Sequence, residues 1–271
     1  MTEMDSADSI VRSASTSANS RQLTPGLAVI LVLGATATGK TALAVRLGLA
    51  LHGEVVNADS RYLYRGMDIG TAKPTAAEMC GVPHHLIDII DPLEDYSLAR
   101  FLDDIYHAVE VVGSRGSVPI VAGGTPQYLR GFIEGWRAPE VAPNLALRRQ
   151  LAEQPVGDLY ARLREVDPES ATRIGPHNKR RLVRALEVFV ESGQTMSALQ
   201  RSEPPPYKLL RIGLRQPRAL LYQRIDERVR AMFASGWLDE VRRLREQGVT
   251  AATPAMSAHG YREALAVLCG T

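Results

Sequence analysis

Cysteine is scarce in this chain. The two present, Cys80 and Cys269, make neither a disulfide framework nor a C-x-x-C pair. That excludes the small stapled folds of secreted domains and points to a reducing, cytoplasmic compartment. No uncharged apolar run approaches the ~20 residues needed to cross a bilayer, so no membrane partner is expected. Residues 1–25, rich in Ser, Thr, Ala, Asp and Asn, lack the apolar stretch of about 7–15 residues that marks a secretory signal. They carry Glu3, Asp5 and Asp8, which transit peptides avoid, and are expected to form a disordered tail. One-sided charge is missing too: a net +2 over 271 residues provides no global basic field for nucleic acid. The remaining composition, 45% hydrophobic and 23% charged, is that of a globular chain with a sizeable core.

What is present is concentrated in eight residues. Gly34-Ala35-Thr36-Ala37-Thr38-Gly39-Lys40-Thr41 fit the phosphate-binding pattern G-x-x-x-x-G-K-[ST]. Leu27 to Leu33 before them is continuously apolar, as a buried parallel strand is, and Ala42 to Ala50 after them reads as a helix. Strand, glycine loop and helix are the arrangement in which backbone N–H groups wrap a phosphate at a positive helix end. Lys40 is expected to reach the terminal phosphates and the Thr41 hydroxyl to coordinate Mg²⁺. The motif identifies a diphosphate or triphosphate without saying which chemistry follows.

Further apolar runs end in polar or glycine residues: Glu54–Asp59 in Asp59-Ser60, Leu86–Ile90 in Asp91-Pro92, and Val118–Ala122 in Gly123-Gly124-Thr125. A helix capped by Ser97 is expected to run to Val112. Alternating strands and helices imply an α/β fold with a parallel sheet, whose ligands sit beyond the carboxyl ends of the strands. Asp59, Ser60 and Thr125 should therefore converge near the phosphate loop. After Trp136, a Pro-marked linker leads into an Arg-rich helical stretch from Leu145 to about Leu199. A strand at Leu209–Leu214 then returns to the sheet, followed by helix from Leu220 to Gln247, broken at Gly236. The expected division is an α/β core of residues 26–138 and 209–271 with a helical insertion at 139–208.

The chemistry is open at this point. The strand ending at Ala122 leads to no acid, so Asp59 is the best carboxylate at a strand end. It suits Mg²⁺ binding through water, acceptance of a hydrogen bond from an attacking amine or hydroxyl, or simple turn formation with Ser60. His84-His85 point to opposite sides of a strand and have no third ligand at metal spacing, so a structural role is expected. Tyr62 and Tyr64 suit stacking on a base or burial in the sheet. The Arg-rich helices suit solvated faces or a phosphate backbone.

Four segments together resemble the tRNA dimethylallyltransferase family (isopentenyl-diphosphate:tRNA transferases). They are Gly34–Thr41; Asp59-Ser-Arg-Tyr-Leu-Tyr-Arg-Gly-Met-Asp-Ile-Gly-Thr-Ala-Lys-Pro74, the most diagnostic; Pro83–Pro92; and Gly123-Gly-Thr125 with Tyr128-Leu129. Weaker echoes are Arg181–Glu187, Arg224–Val229 with Met232, and Gly260–Glu263. The resemblance implies a P-loop NTPase-like α/β core with an all-helical insertion. It implies transfer of a dimethylallyl group from its diphosphate to N6 of adenosine 37, beside the tRNA anticodon, with Mg²⁺. The loop, Gly34, Ala35, Thr36, Ala37, Thr38, Gly39, Lys40 and Thr41, would hold the diphosphate together with Arg224, Arg218 being a weaker candidate. Asp59 would take the proton of the acceptor amine, with Thr36 and Thr125 beside the reacting groups. The anticodon stem-loop would contact Asp59, Ser60, Arg61, Tyr62 and Thr125, and also Arg148, Arg180, Arg181, Leu182, Val183 and Arg184.

The chain departs from the family pattern at several positions. Ala35 stands for the usual Pro, Thr38 for Ser, Tyr62 for Gln, and Gln127 for an apolar residue. Family members continue past the segment matching Gly260-Tyr261 into basic helices, while this sequence runs to Thr271, so a weaker grip on tRNA is expected. A monomer is expected. The competing readings are a prenyltransferase acting on free adenine nucleotides, a small-molecule kinase built on the same loop, and an RNA-binding protein without activity.

Overall fold

The computed structural model describes residues 22–137, 139 and 141–270. In chain order its elements begin with β1 (Ala28–Gly34), α1 (Lys40–Leu51), β2 (Gly53–Asn57), α2 (Ala76–Met79), β3 (His84–His85), α3 (Leu98–Ser114), β4 (Val118–Gly123), α4 (Pro126–Glu134) and β5 (Trp136–Arg137). The helices α5 (Leu145–Glu153), α6 (Val156–Val166), α7 (Pro168–Ile174), α8 (Lys179–Ser192) and α9 (Met196–Leu199) come next. The chain then forms β6 (Arg201–Ser202), β7 (Lys208–Leu214), α10 (Arg218–Ala234), α11 (Trp237–Glu246) and α12 (Tyr261–Cys269).

Five strands form one parallel sheet in the order β3-β2-β4-β1-β7. Side chains alternate across a strand, and both faces of β1 are covered. Val29 and Leu31 pack with Phe101, Ile105 and Val109 of α3. Ile30 and Val32 pack with Ala44 and Val45 of α1. That two-sided burial is why β1 reads as an unbroken apolar run. Ser97 caps α3 by accepting from Arg100 N at 3.1 Å, as its sequence position predicts. Helices α10 and α11 are separated at Gly236, whose φ of 89° suits glycine.

Helices α5 to α8 close around their own core, in which Leu151, Leu159, Leu163, Leu182 and Leu186 are buried together. A further cluster joins α11 and α12 to the segment after β2. Trp237, Val241 and Tyr261 pack there against Leu63, Tyr64 and Met67.

One expectation is corrected. The strand predicted at Leu86–Ile90 is displaced to His84–His85, which pair with Val55 and Val56. Leu86 and Asp88 adopt φ of 59° and 56°, a left-handed conformation that ends a strand. Beyond it an isolated bridge between Tyr64 and Ile90 continues the pairing, with Asp88 N donating to the Tyr62 carbonyl at 3.0 Å and Ile90 N to the Leu63 carbonyl at 3.1 Å. Buried Lys73 holds this bend by donating to the Tyr64 carbonyl at 2.7 Å and to the Asp68 and Asp88 carboxylates. The expected disordered tail lies mostly outside the described residues. Its end is anchored, because Thr24 N and Oγ donate to the Glu110 carboxylate at 3.0 and 2.6 Å.

Candidate active site

Parallel strands deliver their carboxyl ends to one edge, and a cleft of about 1130 Å³ opens there. The loop after β1 forms one wall. Gly34 is obligatory, since a Cβ would stand 2.8 Å from Thr38 Oγ and 2.9 Å from the Leu214 carbonyl. The Ala35 carbonyl accepts from Thr38 Oγ at 2.7 Å and from Lys40 Nζ at 2.9 Å, which folds the loop over itself. Gly39, with φ of 94°, starts α1 without any side-chain cap. The first-turn N–H groups of α1 are therefore available to an anion. Thr36, Ala37, Gly39, Lys40 and Thr41 all line the cleft.

Asp59 follows β2 and faces the same space. Its Oδ1 accepts from Arg61 N at 3.0 Å, and its own N–H donates to Asn57 Oδ1 at 2.9 Å. The carboxylate is thus set by a turn, as the simplest sequence reading has it, and also borders the phosphate loop. A Cβ at Gly124 would lie 3.4 Å from Lys40 Nζ and 3.6 Å from Asp59 Oδ2. Partial burial lowers the Lys40 ammonium's pKa. The Asp59 carboxylate opposes that shift, and the Arg228 guanidinium adds to it. Thr41 and Asp59 provide a hydroxyl and a carboxylate on the cleft wall. Among the described residues no group of three or more His, Cys, Asp or Glu could hold a metal without a ligand's help.

Other expected site residues are placed differently. Ser60 and Thr125 lock the two strand ends together: Thr125 Oγ accepts from Ser60 N at 3.0 Å and donates to Ser60 Oγ at 3.3 Å. Neither lines the cleft. Arg61 lines it and is tied to Ser257, donating to Oγ and to the carbonyl at 3.1 Å each. Tyr62 reaches inward beside Thr41 and Arg228, and burial raises its phenol pKa. Arg224 lines the cleft and donates to the Ala37 carbonyl at 3.3 Å, whereas Arg218 is exposed and outside it.

The positions expected to contact tRNA on α5 and α8 divide by burial. Arg180 and Arg181 are exposed in the first turn of α8. Leu182 and Val183 are packed in the helical core, so their side chains serve the fold rather than face a tRNA, a correction that follows from the packing of α8. Arg148 Nε and Arg184 Nη1 both donate to buried Glu187, at 2.8 and 2.6 Å. The Asn144 N–H donates to the same carboxylate at 2.7 Å.

Sequence reasoning assigned no role to Arg228 or to the apolar far wall. Arg224, Ile225, Arg228, Val229, Met232 and Phe233 repeat at helical spacing on one face of α10 and line the cleft. Their sequence signals are that spacing and the weak family echo at Arg224–Val229 and Met232. Trp237 and Val267 extend the wall on α11 and α12.

Comparison with known proteins gives matches over most of the chain. The family model described as IPP transferase matches residues 62–271, and that described as isopentenyl transferase matches residues 27–91. The tRNA dimethylallyltransferase of Thermomicrobium roseum is 54% identical over 247 residues, covering 89% of this chain and 75% of the relative. That of Roseiflexus sp. is 51% identical over 239 residues, covering 87% and 78%. The solved tRNA isopentenylpyrophosphate transferase of Bacillus halodurans superposes with a TM-score of 0.65 at 38% identity, covering 90% of this chain and 78% of that one. A eukaryotic dimethylallyltransferase acting on tRNA superposes with a TM-score of 0.77 at 30% identity, covering 89% and 63%. The chain belongs to the tRNA dimethylallyltransferase family, the IPP transferases.

Proposed function

We propose that this protein transfers a dimethylallyl group from dimethylallyl diphosphate to N6 of the adenosine beside the tRNA anticodon, releasing diphosphate. The observation that carries the reading is the composition of one cleft. A phosphate loop with Lys40, the strand-end carboxylate of Asp59 and an apolar wall on α10 to α12 share it. Those are the three environments that a diphosphate, an attacking amine and a prenyl chain require.

Breaking the allylic C–O bond builds negative charge on the departing diphosphate. The α1 N-terminus, Lys40, Arg224 and Arg228 would stabilise that charge as it develops. The exocyclic amine attacks the allylic carbon and becomes cationic, and Asp59 accepts its proton. Thr36 stands beside the reacting groups. The far wall, with Val229, Met232 and Phe233, excludes water from the allylic carbon. Mg²⁺ suits the donors at the loop, because the Thr41 hydroxyl and phosphate oxygens are hard ligands that leave room for its waters. When bound at Thr41, it would add to the neutralisation of the leaving group.

The target base must leave its stack to enter such a cleft. Arg61 and Tyr62 on the cleft wall, with exposed Arg180 and Arg181, would contact the tRNA. Arg148 and Arg184 would offer their remaining N–H groups to its phosphates. Residues 139–208 would then act as an insertion domain on a core of 26–138 and 209–271, with one protomer sufficient, in the cytoplasm.

The test incubates the chain with radiolabelled dimethylallyl diphosphate, Mg²⁺ and either unmodified tRNA or AMP. Label entering tRNA is expected. Label entering AMP alone would replace the acceptor. ATP consumption with a small acceptor and no prenyl transfer would make the protein a kinase.

A further inference from the structure

Glu240 lies outside the chemistry just described, yet its carboxylate is buried and fully engaged. Oε2 accepts from Asp68 N at 2.8 Å and from Ile69 N at 2.7 Å. Oε1 accepts from Gly70 N at 3.2 Å and from the Tyr261 hydroxyl at 2.6 Å. A carboxylate taken out of water is tolerated only when hydrogen bonds replace its hydration, and here four donors do so. Three of them are successive backbone N–H groups of one loop. The same loop presses on α11 from the other side: a Cβ at Gly70 would fall 1.9 Å from Trp237 Nε1. The loop therefore has a single seat.

The next residue connects this seat to the cleft. The Thr71 carbonyl accepts from Arg228 Nη2 at 3.0 Å, and Gly70, Thr71 and Arg228 all line the cleft that holds Lys40. Arg228 is close enough to Lys40 to lower its pKa. A guanidinium on a flexible stem loses rotamer freedom each time it binds an anion. A fixed carbonyl behind it removes part of that cost beforehand.

We propose that Glu240 is a positioning residue: by gathering the N–H groups of Asp68, Ile69 and Gly70 it sets the Thr71 carbonyl, which aims Arg228 at the phosphate loop. This rests on the reading of the cleft as a diphosphate site. Glu240→Gln keeps the shape of the side chain but turns one acceptor into an amide that must face N–H donors. With the amide nitrogen toward Asp68 and Ile69, both lose their acceptor; with it toward Gly70 and Tyr261, Gly70 N loses its acceptor and the Tyr261 hydroxyl must turn round to accept.

The experiment measures binding of inorganic pyrophosphate with Mg²⁺ by calorimetry, using the full chain, with a melting curve for each variant. Glu240→Gln is expected to weaken binding about tenfold, and in an Arg228→Ala background to change it less than about twofold, because the two act in series. Equal losses in both backgrounds would show that Glu240 does not act through Arg228 and would overturn the proposal. So would a lower melting temperature with unchanged affinity. Tyr261→Phe is the milder variant if Glu240→Gln does not fold. It removes one donor and should weaken pyrophosphate binding about twofold to threefold, again only when Arg228 is present. Unchanged binding there would overturn the proposal too. Wild-type protein that fails to bind pyrophosphate would overturn the diphosphate reading and this inference with it, whereas a binding wild type with unaffected variants overturns this inference alone.

Discussion

Asp59→Asn isolates the proton-accepting role from every structural one. Asparagine keeps Oδ1, which accepts from Arg61 N at 3.0 Å, and the backbone bond to Asn57 is untouched. Stability should stay within about 0.5 kcal/mol of wild type. Basicity is lost outright, because an amide takes no proton. A positioned general base contributes about 10²–10⁴ in rate, so kcat should fall about 10³-fold, or about 4 kcal/mol of barrier. Diphosphate binding should respond the other way. Asp59 Oδ2 and Lys40 Nζ flank the same point at 3.6 and 3.4 Å. At most about 7 Å then separates them, a coupling of about 2 kcal/mol at an effective dielectric of 20 and roughly half that once solvent in the open cleft screens it. Removing the carboxylate also removes its repulsion of a bound anion, so KM for dimethylallyl diphosphate should not rise. The assay is single-turnover transfer of labelled prenyl to tRNA at saturating donor. Turnover within tenfold of wild type would refute the proton role of Asp59.

Lys40→Ala should weaken pyrophosphate binding about 100-fold, since a charge-assisted contact in a partly enclosed site is lost; unchanged calorimetric affinity would remove Lys40 from the site. Wild-type pyrophosphate binding should lose its Lys40 contribution as pH rises through a pKa below the ordinary lysine value of 10.5. In Asp59→Asn that alkaline limb should move lower still, because the carboxylate that favours the ammonium is gone. Burial pushes the Glu187 carboxyl up, but bonds from Arg184, Asn144 N and Arg148 outweigh it and hold it below the ordinary 4.5. That stability is complete above the unfolded pKa and is lost as pH falls through the lower folded one. Melting curves should therefore drop below about pH 4.5, and Glu187→Gln should flatten the drop while destabilising by about 3 kcal/mol at neutral pH. Gly123→Ala would put a Cβ 2.2 Å from the Ala58 carbonyl oxygen, a backbone clash that should cost about 1–3 kcal/mol in denaturant unfolding.

The phosphate loop was legible because its signal is contiguous. Glycine spacing, an apolar strand before and a helix after are all local in sequence. The approach of Asp59 to Lys40 was also legible, since parallel strands must present their carboxyl ends together. Thr125 was correctly brought to that edge, but its hydroxyl is consumed by Ser60. Leu182 and Val183 sit between surface arginines in the chain, and only the packing of α8 against α6 and α7 shows them inside. The strand expected at Leu86–Ile90 failed because the apolar pattern carries no sign of the left-handed turn that buried Lys73 and Asp88 stabilise.

The glycine loop, the parallel sheet that carries it and the family could all be read from the chain alone. Tertiary structure alone decided which basic side chains face the cleft and which are neutralised elsewhere. Arg228 and Arg184 look alike in sequence, but one is held in the cleft by the Thr71 carbonyl and the other meets Glu187. The physical reason is range: backbone hydrogen bonding and hydrophobic period are set by near neighbours, whereas the partner of a charge is set by whichever distant segment the fold brings beside it.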